Sequence, residues 1–136
     1  MDRLFLDANI LFSAAHRPGA GLLKFWKLRN VELYTSRYAL EEARINLCEE
    51  SQRRRLDQLA ESLRFFDSAS RDLPASISLP AKDIPILLAA IEARSTHLIT
   101  GDLHHFGPYF GKRLAGILVL PPVDYLHLRP SSSSSG

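Results

Sequence analysis

Short apolar runs alternate with stretches of helical periodicity along the whole chain. Residues 3–6, with Leu4, Phe5 and Leu6, form a continuous run suited to a strand covered on both faces. Ile10, Leu11, Phe12 and Ala15 then fall at helical spacing. Pro18, Gly19 and Gly21 mark a turn, after which Leu22, Leu23, Phe25 and Trp26 predict a helix over 22–28. A second strand is predicted at 31–35. Ser36 follows as an N-cap, and Leu40, Ala43 and Leu47 lie on the inner face of a helix reaching residue 48. Residues 51–67 give the cleanest amphipathic helix, with Leu56, Leu59, Ala60, Leu63 and Phe66 on one face. A connector containing Pro74 and Pro80 spans 68–80.

The stretch 82–106 holds three parts in succession. Asp83 opens a helix whose Ile86, Leu87, Ala89, Ala90, Ile91 and Ala93 make it apolar round most of its circumference, so it should be deeply buried. Residues 97–100 read as a buried strand, ended by Gly101 and Asp102. A short turn or helix is expected over 104–109, limited by Gly107 and Pro108. Residues 116–120 form a last strand, stopped by Pro121 and Pro122, with a final helical turn over 123–128. Strands alternating with helices predict a three-layer α/β/α sandwich with a mainly parallel central sheet. We assign residues 1–129 to one domain, and residues 130–136 to a disordered Ser-rich tail or a cloning remnant.

In such a sheet, functional groups gather beyond the carboxyl ends of the strands. Asp7 ends the first strand, Asp102 ends the strand at 97–100, and Asp83 begins the helix before it, so one rim is predicted to carry all three. Each has an ordinary reading as a helix N-cap. Ser, Thr or Asn would cap equally well without accumulating negative charge, and like charges held close repel. A hard divalent cation, Mg²⁺ or Mn²⁺, relieves that repulsion through carboxylate and water oxygens. Asn9 and Thr100 add neutral oxygens beside two of the acids. A fourth acid is Glu41 or Glu42. At about 100° per residue the two flank the core face almost symmetrically. Asn46, one turn beyond Glu42, tilts the choice towards Glu42, since Ile45 lies one turn beyond Glu41. An exposed helical Glu is the ordinary reading of either. His97 is read as structural, His104 and His105 as candidates to touch a substrate, and Cys48 as a small buried group rather than a nucleophile.

Composition narrows the classes. Of 136 residues, 46% are hydrophobic, which argues against a disordered chain. A formal net charge of +2 neither demands nor excludes a nucleic-acid partner. Arg53, Arg54 and Arg55 are read first as a solvated helix face and second as a phosphate-contacting patch. The single cysteine excludes an internal disulfide and a cysteine zinc cluster, and fits a reduced cytoplasmic setting. Met1, Asp2 and Arg3 lead straight into a strand, so no signal peptide is expected, and no apolar run is long enough to cross a bilayer. No glycine-rich nucleotide loop or Ser–His–Asp arrangement is visible.

Four segments, LFLDANIL, SRYALEEARINL, KDIPILLAAIEARSTHLITGDLHHFG and GILVLPPVDYL, occur in that order. Together they make the sequence resemble the PIN-domain nucleases, including the VapC-type toxin ribonucleases, over residues 3–128. The resemblance implies the α/β/α fold and divalent-metal-dependent hydrolysis of RNA with Mg²⁺ or Mn²⁺. It maps the acidic positions to Asp7, Glu42, Asp83 and Asp102, with Asn9, Ser36 and Thr100 as polar support. It implies RNA as partner, single-stranded or looped, with a protein antitoxin and a second copy of the chain as candidates beside it. A toxin and an RNA-processing enzyme both fit. Arg17, Lys112 and Arg113 are the candidate basic rim. Two other classes compete. A haloacid-dehalogenase-like phosphatase also places Asp after its first strand, but its second acid two residues on is Asn9 here. A non-catalytic nucleic-acid-binding module would retain the acids only as caps or metal ligands.

Overall fold

Leu4, Phe5 and Leu6 are fully buried because their strand lies inside a six-stranded sheet. The computed structural model describes residues 1–70, 72–74 and 76–128, so the Ser-rich tail assigned to 130–136 and the domain limit at 129 lie outside the described residues. The strands are β1 (Asp2–Leu6), β2 (Val31–Thr35), β3 (Arg64–Phe65), β4 (His97–Ile99), β5 (Arg113–Leu114) and β6 (Ile117–Leu120). The helices are α1 (Ala8–His16), α2 (Arg37–Asn46), α3 (Glu50–Ala60), α4 (Ile84–Glu92) and α5 (Pro122–Leu128). The strand order is β3-β2-β1-β4-β6-β5, parallel throughout except for β5, which pairs antiparallel with β6 at the edge.

This order positions the site. From β1 the chain moves to one side through β2 and β3, then crosses to the other side of β1 for β4 and β6. The reversal leaves a crevice beyond the carboxyl ends of β1 and β4, where ligands gather in open α/β sheets. The amide of Asp7 donates to the carbonyl of Ile99 at 3.1 Å and that of Thr100 to Leu120 at 3.1 Å, so strand pairing continues to the crevice edge. Ile10, Leu11, Ala14 and Ala15 form the buried stripe of α1. In α4, Ile86, Leu87, Leu88, Ala89 and Ala90 are all buried, as its all-round apolar sequence requires.

Several elements differ from the sequence reading. The helix expected over 51–67 stops at Ala60, and Arg64 and Phe65 pair in parallel with Tyr34 and Thr35. The next amide, Phe66, donates to the Thr35 carbonyl at 3.0 Å. Those bonds satisfy the outer edge of β2, which a longer helix would leave open. Residues Gly21–Lys27 form a 3₁₀ helix that buries only Phe25, and Trp26 donates its indole N–H to the Leu59 carbonyl at 3.0 Å. The helix after Ser36 ends at Asn46, where Leu47 turns to extended backbone, and this leaves Cys48 exposed rather than buried.

The arginine run on α3 is mainly architectural. Arg53 donates to the Leu47 carbonyl at 2.7 Å and Arg55 to the Ala15 carbonyl at 2.6 Å. Both carbonyls belong to helix C-terminal ends, where cations are favoured. Arg54 is exposed and pairs with Glu50 at 3.7 Å. No helix among the described residues is long and apolar enough to cross a membrane.

Leu98 is completely buried and Leu103 is 72% exposed. We expect Leu98→Ala to lower unfolding free energy by about 2–5 kcal/mol, and Leu103→Ala by no more than about 0.5 kcal/mol. Urea unfolding followed by circular dichroism measures both.

Candidate functional site

Asp7 ends β1, and its carboxylate is only 4% exposed. One oxygen accepts from the Ala8 amide at 2.7 Å. The other accepts from the Thr100 hydroxyl at 2.7 Å and from the Asn9 side-chain amide at 3.1 Å. Asn9 also donates to the Thr100 hydroxyl at 3.2 Å, and its carbonyl accepts from the Gly101 amide at 2.8 Å. Asn9 and Thr100 therefore lock the end of β1 to the end of β4. A Cβ at Gly101 would meet Asn9 Oδ1 at 3.4 Å, an ordinary van der Waals distance. Burial raises the Asp7 pKa from 3.8 to about 6; the Thr100 and Ala8 hydrogen bonds pull it down, while Asp83 and Glu42 push it up.

Asp83 does not cap α4. Its side chain makes no cap hydrogen bond, and the residue closes a 3₁₀ turn over Ala81–Asp83 that feeds the helix. It is 6% exposed. Burial raises its pKa; Asp102 adds repulsion, while His105 and Lys82 act the other way. Asp102 sits just past β4, and one of its oxygens accepts from the His104 and His105 amides, both at 3.1 Å. That turn points the His105 ring back at the acids. His105 Nδ1 lies 2.6 Å from Asp83 Oδ2 and 3.1 Å from Asp102 Oδ2. Neither contact has the alignment of a hydrogen bond, so Asp83 Oδ2 and His105 Nδ1 are buried polar atoms with no hydrogen-bond partner among the described residues.

Asp7, Asn9, Glu42, Asp83 and Asp102 line one cleft of about 580 Å³, together with Lys82 and Asn46. Glu42 faces this cleft and Glu41 is exposed outside it. Ser36 is buried and stands apart from the cleft; its hydroxyl caps α2 by accepting from the Ala39 amide at 3.0 Å, and so holds the helix that carries Glu42. His97 lies at the opposite end of its strand from the cleft, edge-on to Tyr125 at 5.0 Å, and burial lowers its pKa. Lys112 and Arg113 do not line the cleft, and Arg17 lines a groove that adjoins it.

Two residues beside the acids have roles that the sequence reading does not give them: Lys82, which lines the cleft, and His105, which touches Asp83 and Asp102 without lining it. His105 was read only as a substrate contact, although its i,i+3 spacing from Asp102 was the available signal. Lys82 was not singled out, and its only signal was adjacency to Asp83.

The donor set fits a hard divalent cation. Asp83, Asp102 and His105 each offer a ligand atom, all within 4.8 Å of one another. The two carboxylates are what suit Mg²⁺ or Mn²⁺, whereas the imidazole nitrogen is a softer donor than Mg²⁺ prefers. Asp83 Oδ2 is buried and accepts no well-aligned hydrogen bond among the described residues, its near neighbour being His105 Nδ1 at 2.6 Å, so a cation would meet an oxygen that is otherwise weakly compensated.

No protein-family model matches the chain, and no curated protein does. Solved structures do. VapBC2 from Rickettsia felis bound to a DNA fragment from their promoter superposes with a TM-score of 0.62 at 16% identity, covering 88% of this chain and 98% of that one. FitAB bound to IR36 DNA fragment gives 0.54 at 18% identity, over 94% and 99% of the two chains. FitAcB from Neisseria gonorrhoeae gives 0.52 at 19%, over 88% and 98%. At such identities the likeness is one of fold, and the PIN-like α/β/α architecture read from the sequence is the architecture found.

A carboxyl whose pKa is higher in the folded state stabilises the fold most below its unfolded pKa. Asp7 should therefore withdraw up to about 3 kcal/mol from the metal-free chain as pH rises from 4 through 6. Asp7→Asn removes the titration, although its new amide opposes the Asn9 donor and lowers stability at every pH. Denaturant unfolding in chelator should show the wild-type advantage over Asp7→Asn shrinking across that window. A pH-independent difference would mean that Asp7 ionises freely.

Proposed function

We propose that this chain is a divalent-metal-dependent endoribonuclease that hydrolyses RNA phosphodiester bonds, working in the cytoplasm as the toxin of a toxin–antitoxin pair. One observation carries the proposal: acids from four separate parts of the chain line a single cleft at the sheet's switch point. The fold neighbours support the toxin reading, since VapBC2 and FitAB are two-component assemblies solved on DNA. A protein antitoxin is the partner this reading calls for.

Asp83 and Asp102, with His105 beside them, would hold Mg²⁺ or Mn²⁺, and Asp7 and Glu42 would complete the negative field around it. Such an ion supplies Lewis-acid stabilisation of phosphate charge and a lowered pKa for water. The chain's own groups do the rest. Thr100 and Asn9 orient the Asp7 carboxylate and keep its anion solvated by donors in a buried place. Ser36 fixes the first turn of α2, and so the direction in which Glu42 projects. Lys82 brings a positive charge to the cleft wall, where it can pair with a phosphate oxygen.

The phosphatase alternative is weakened at Asn9. Both polar ends of that amide are committed to Asp7, Thr100 and Gly101, so it has no acid to offer a leaving group.

Asp102→Asn is the cleaner test of the acids, because its remaining oxygen can still accept from the His104 and His105 amides. We expect it to fold normally and to lose Mg²⁺- or Mn²⁺-dependent RNA cleavage on the order of 100-fold or more. Full cleavage by the folded variant would refute the mechanism.

Glu42→Gln should lower metal-dependent cleavage more than Glu41→Gln, since only Glu42 faces the cleft. Equal activities in the two purified variants would remove Glu42 from the site. Expression of the wild-type chain should arrest bacterial growth, and Asp102→Asn should not.

A further inference from the structure

A second groove, of about 500 Å³, continues from the acidic cleft. The two share Phe12, Ser13, Leu22 and Pro122 as walls. The path follows one face of α1. Asn9, Phe12, Ser13 and His16 stand at i, i+3, i+4 and i+7, so they form a stripe about 10 Å long that leads from the carboxylates outwards.

The chemistry changes along that stripe. The cleft is dominated by acids, whereas no acidic residue lines the groove. Phe12 and His16 pair their rings at 5.2 Å there. Arg17 and Lys24 line the same groove, both exposed and neither in an ion pair with a described residue. Arg53 and Arg55, by contrast, are tied to helix ends. Aromatic faces beside unpaired cations are what a single strand needs: rings stack on bases, and cations follow the backbone.

We propose that this groove binds the nucleotides flanking the scissile phosphate of a single-stranded RNA. Phe12 and His16 stack on a base, and Arg17 and Lys24 pair with phosphates. The proposal rests on the nuclease reading for the location of the scissile bond, but its test does not need cleavage. The acidic cleft alone repels a polyanion, so the adjoining basic groove provides the attraction that holds RNA across it.

The test is a fluorescence-anisotropy titration of a labelled, unstructured RNA of about ten nucleotides, in EDTA so that nothing is cut, over a series of salt concentrations. The wild-type chain should bind. The double variant Arg17→Gln, Lys24→Gln should bind more weakly, with a log–log salt slope about 1.4 smaller in magnitude. Phe12→Leu keeps an apolar side chain against the core and should weaken binding about tenfold with little change in melting temperature. No RNA binding by the wild type, or affinity and salt slope that the substitutions leave unchanged, overturns the proposal. So does a shift from dimer to monomer in sedimentation with RNA affinity unaltered, which would make the groove an interface between copies. Wild-type binding without any Mg²⁺- or Mn²⁺-dependent cleavage would reject the nuclease reading and leave the groove standing. Cleavage with normal binding by the variants would do the reverse.

Discussion

The buried carboxylate of Asp7 is held by donors that come from both sides of the sheet's reversal. Its bonds to Thr100, Asn9 and Ala8 join the end of β1, the start of α1 and the end of β4. An anion placed there without them would be several kcal/mol less favourable. With them it still titrates high, so the donors offset the burial only in part. The arrangement keeps a charge in a place from which the fold alone would expel it.

The surrounding acids follow the same logic with less compensation. Asp102 keeps an ordinary structural task, because its turn collects the His104 and His105 amides. Asp83 has no such task. It sits where a cap would sit, makes no capping bond, and presents a buried oxygen to a histidine ring. Capping explains Asp7 and Asp102 in part and does not explain Asp83. Ser or Asn there would relieve the repulsion, and the proposed cation would do so with the carboxylate in place.

The fold turns these separate acids into one site. β1 and β4 are neighbours whose chains depart in opposite directions, so their carboxyl ends open into a crevice. α1 leaves that crevice with its N-terminus at the acids. α2 lies against α1 and brings Glu42 to the same wall. Along α1 the surface passes from carboxylates to aromatic and basic groups within two turns, a polarity that suits a polyanion crossing the helix.

The local pattern determined the buried strands and the acids that follow them. Leu4 to Leu6, Leu98 to Ile99 and Val119 to Leu120 are continuous apolar runs, and a run bounded by turn residues identifies a core strand without knowledge of its partners. Asp7 and Asp102 could be placed on one rim because a parallel sheet puts every strand's carboxyl end on the same edge. Other features depended on partners far away in sequence. Leu63 and Phe66 fit a helix face by spacing, yet Arg64 and Phe65 became a strand because β2 offered an unpaired edge. Helical angles left Glu41 and Glu42 equivalent until α1 packed beside α2 and defined which side was the cleft. His105 met Asp83 only through the turn after β4, and Cys48 was exposed because α2 ended early at Asn46. Periodicity reports which side of an element is buried, but the partner it faces is chosen by packing between segments that the sequence keeps apart.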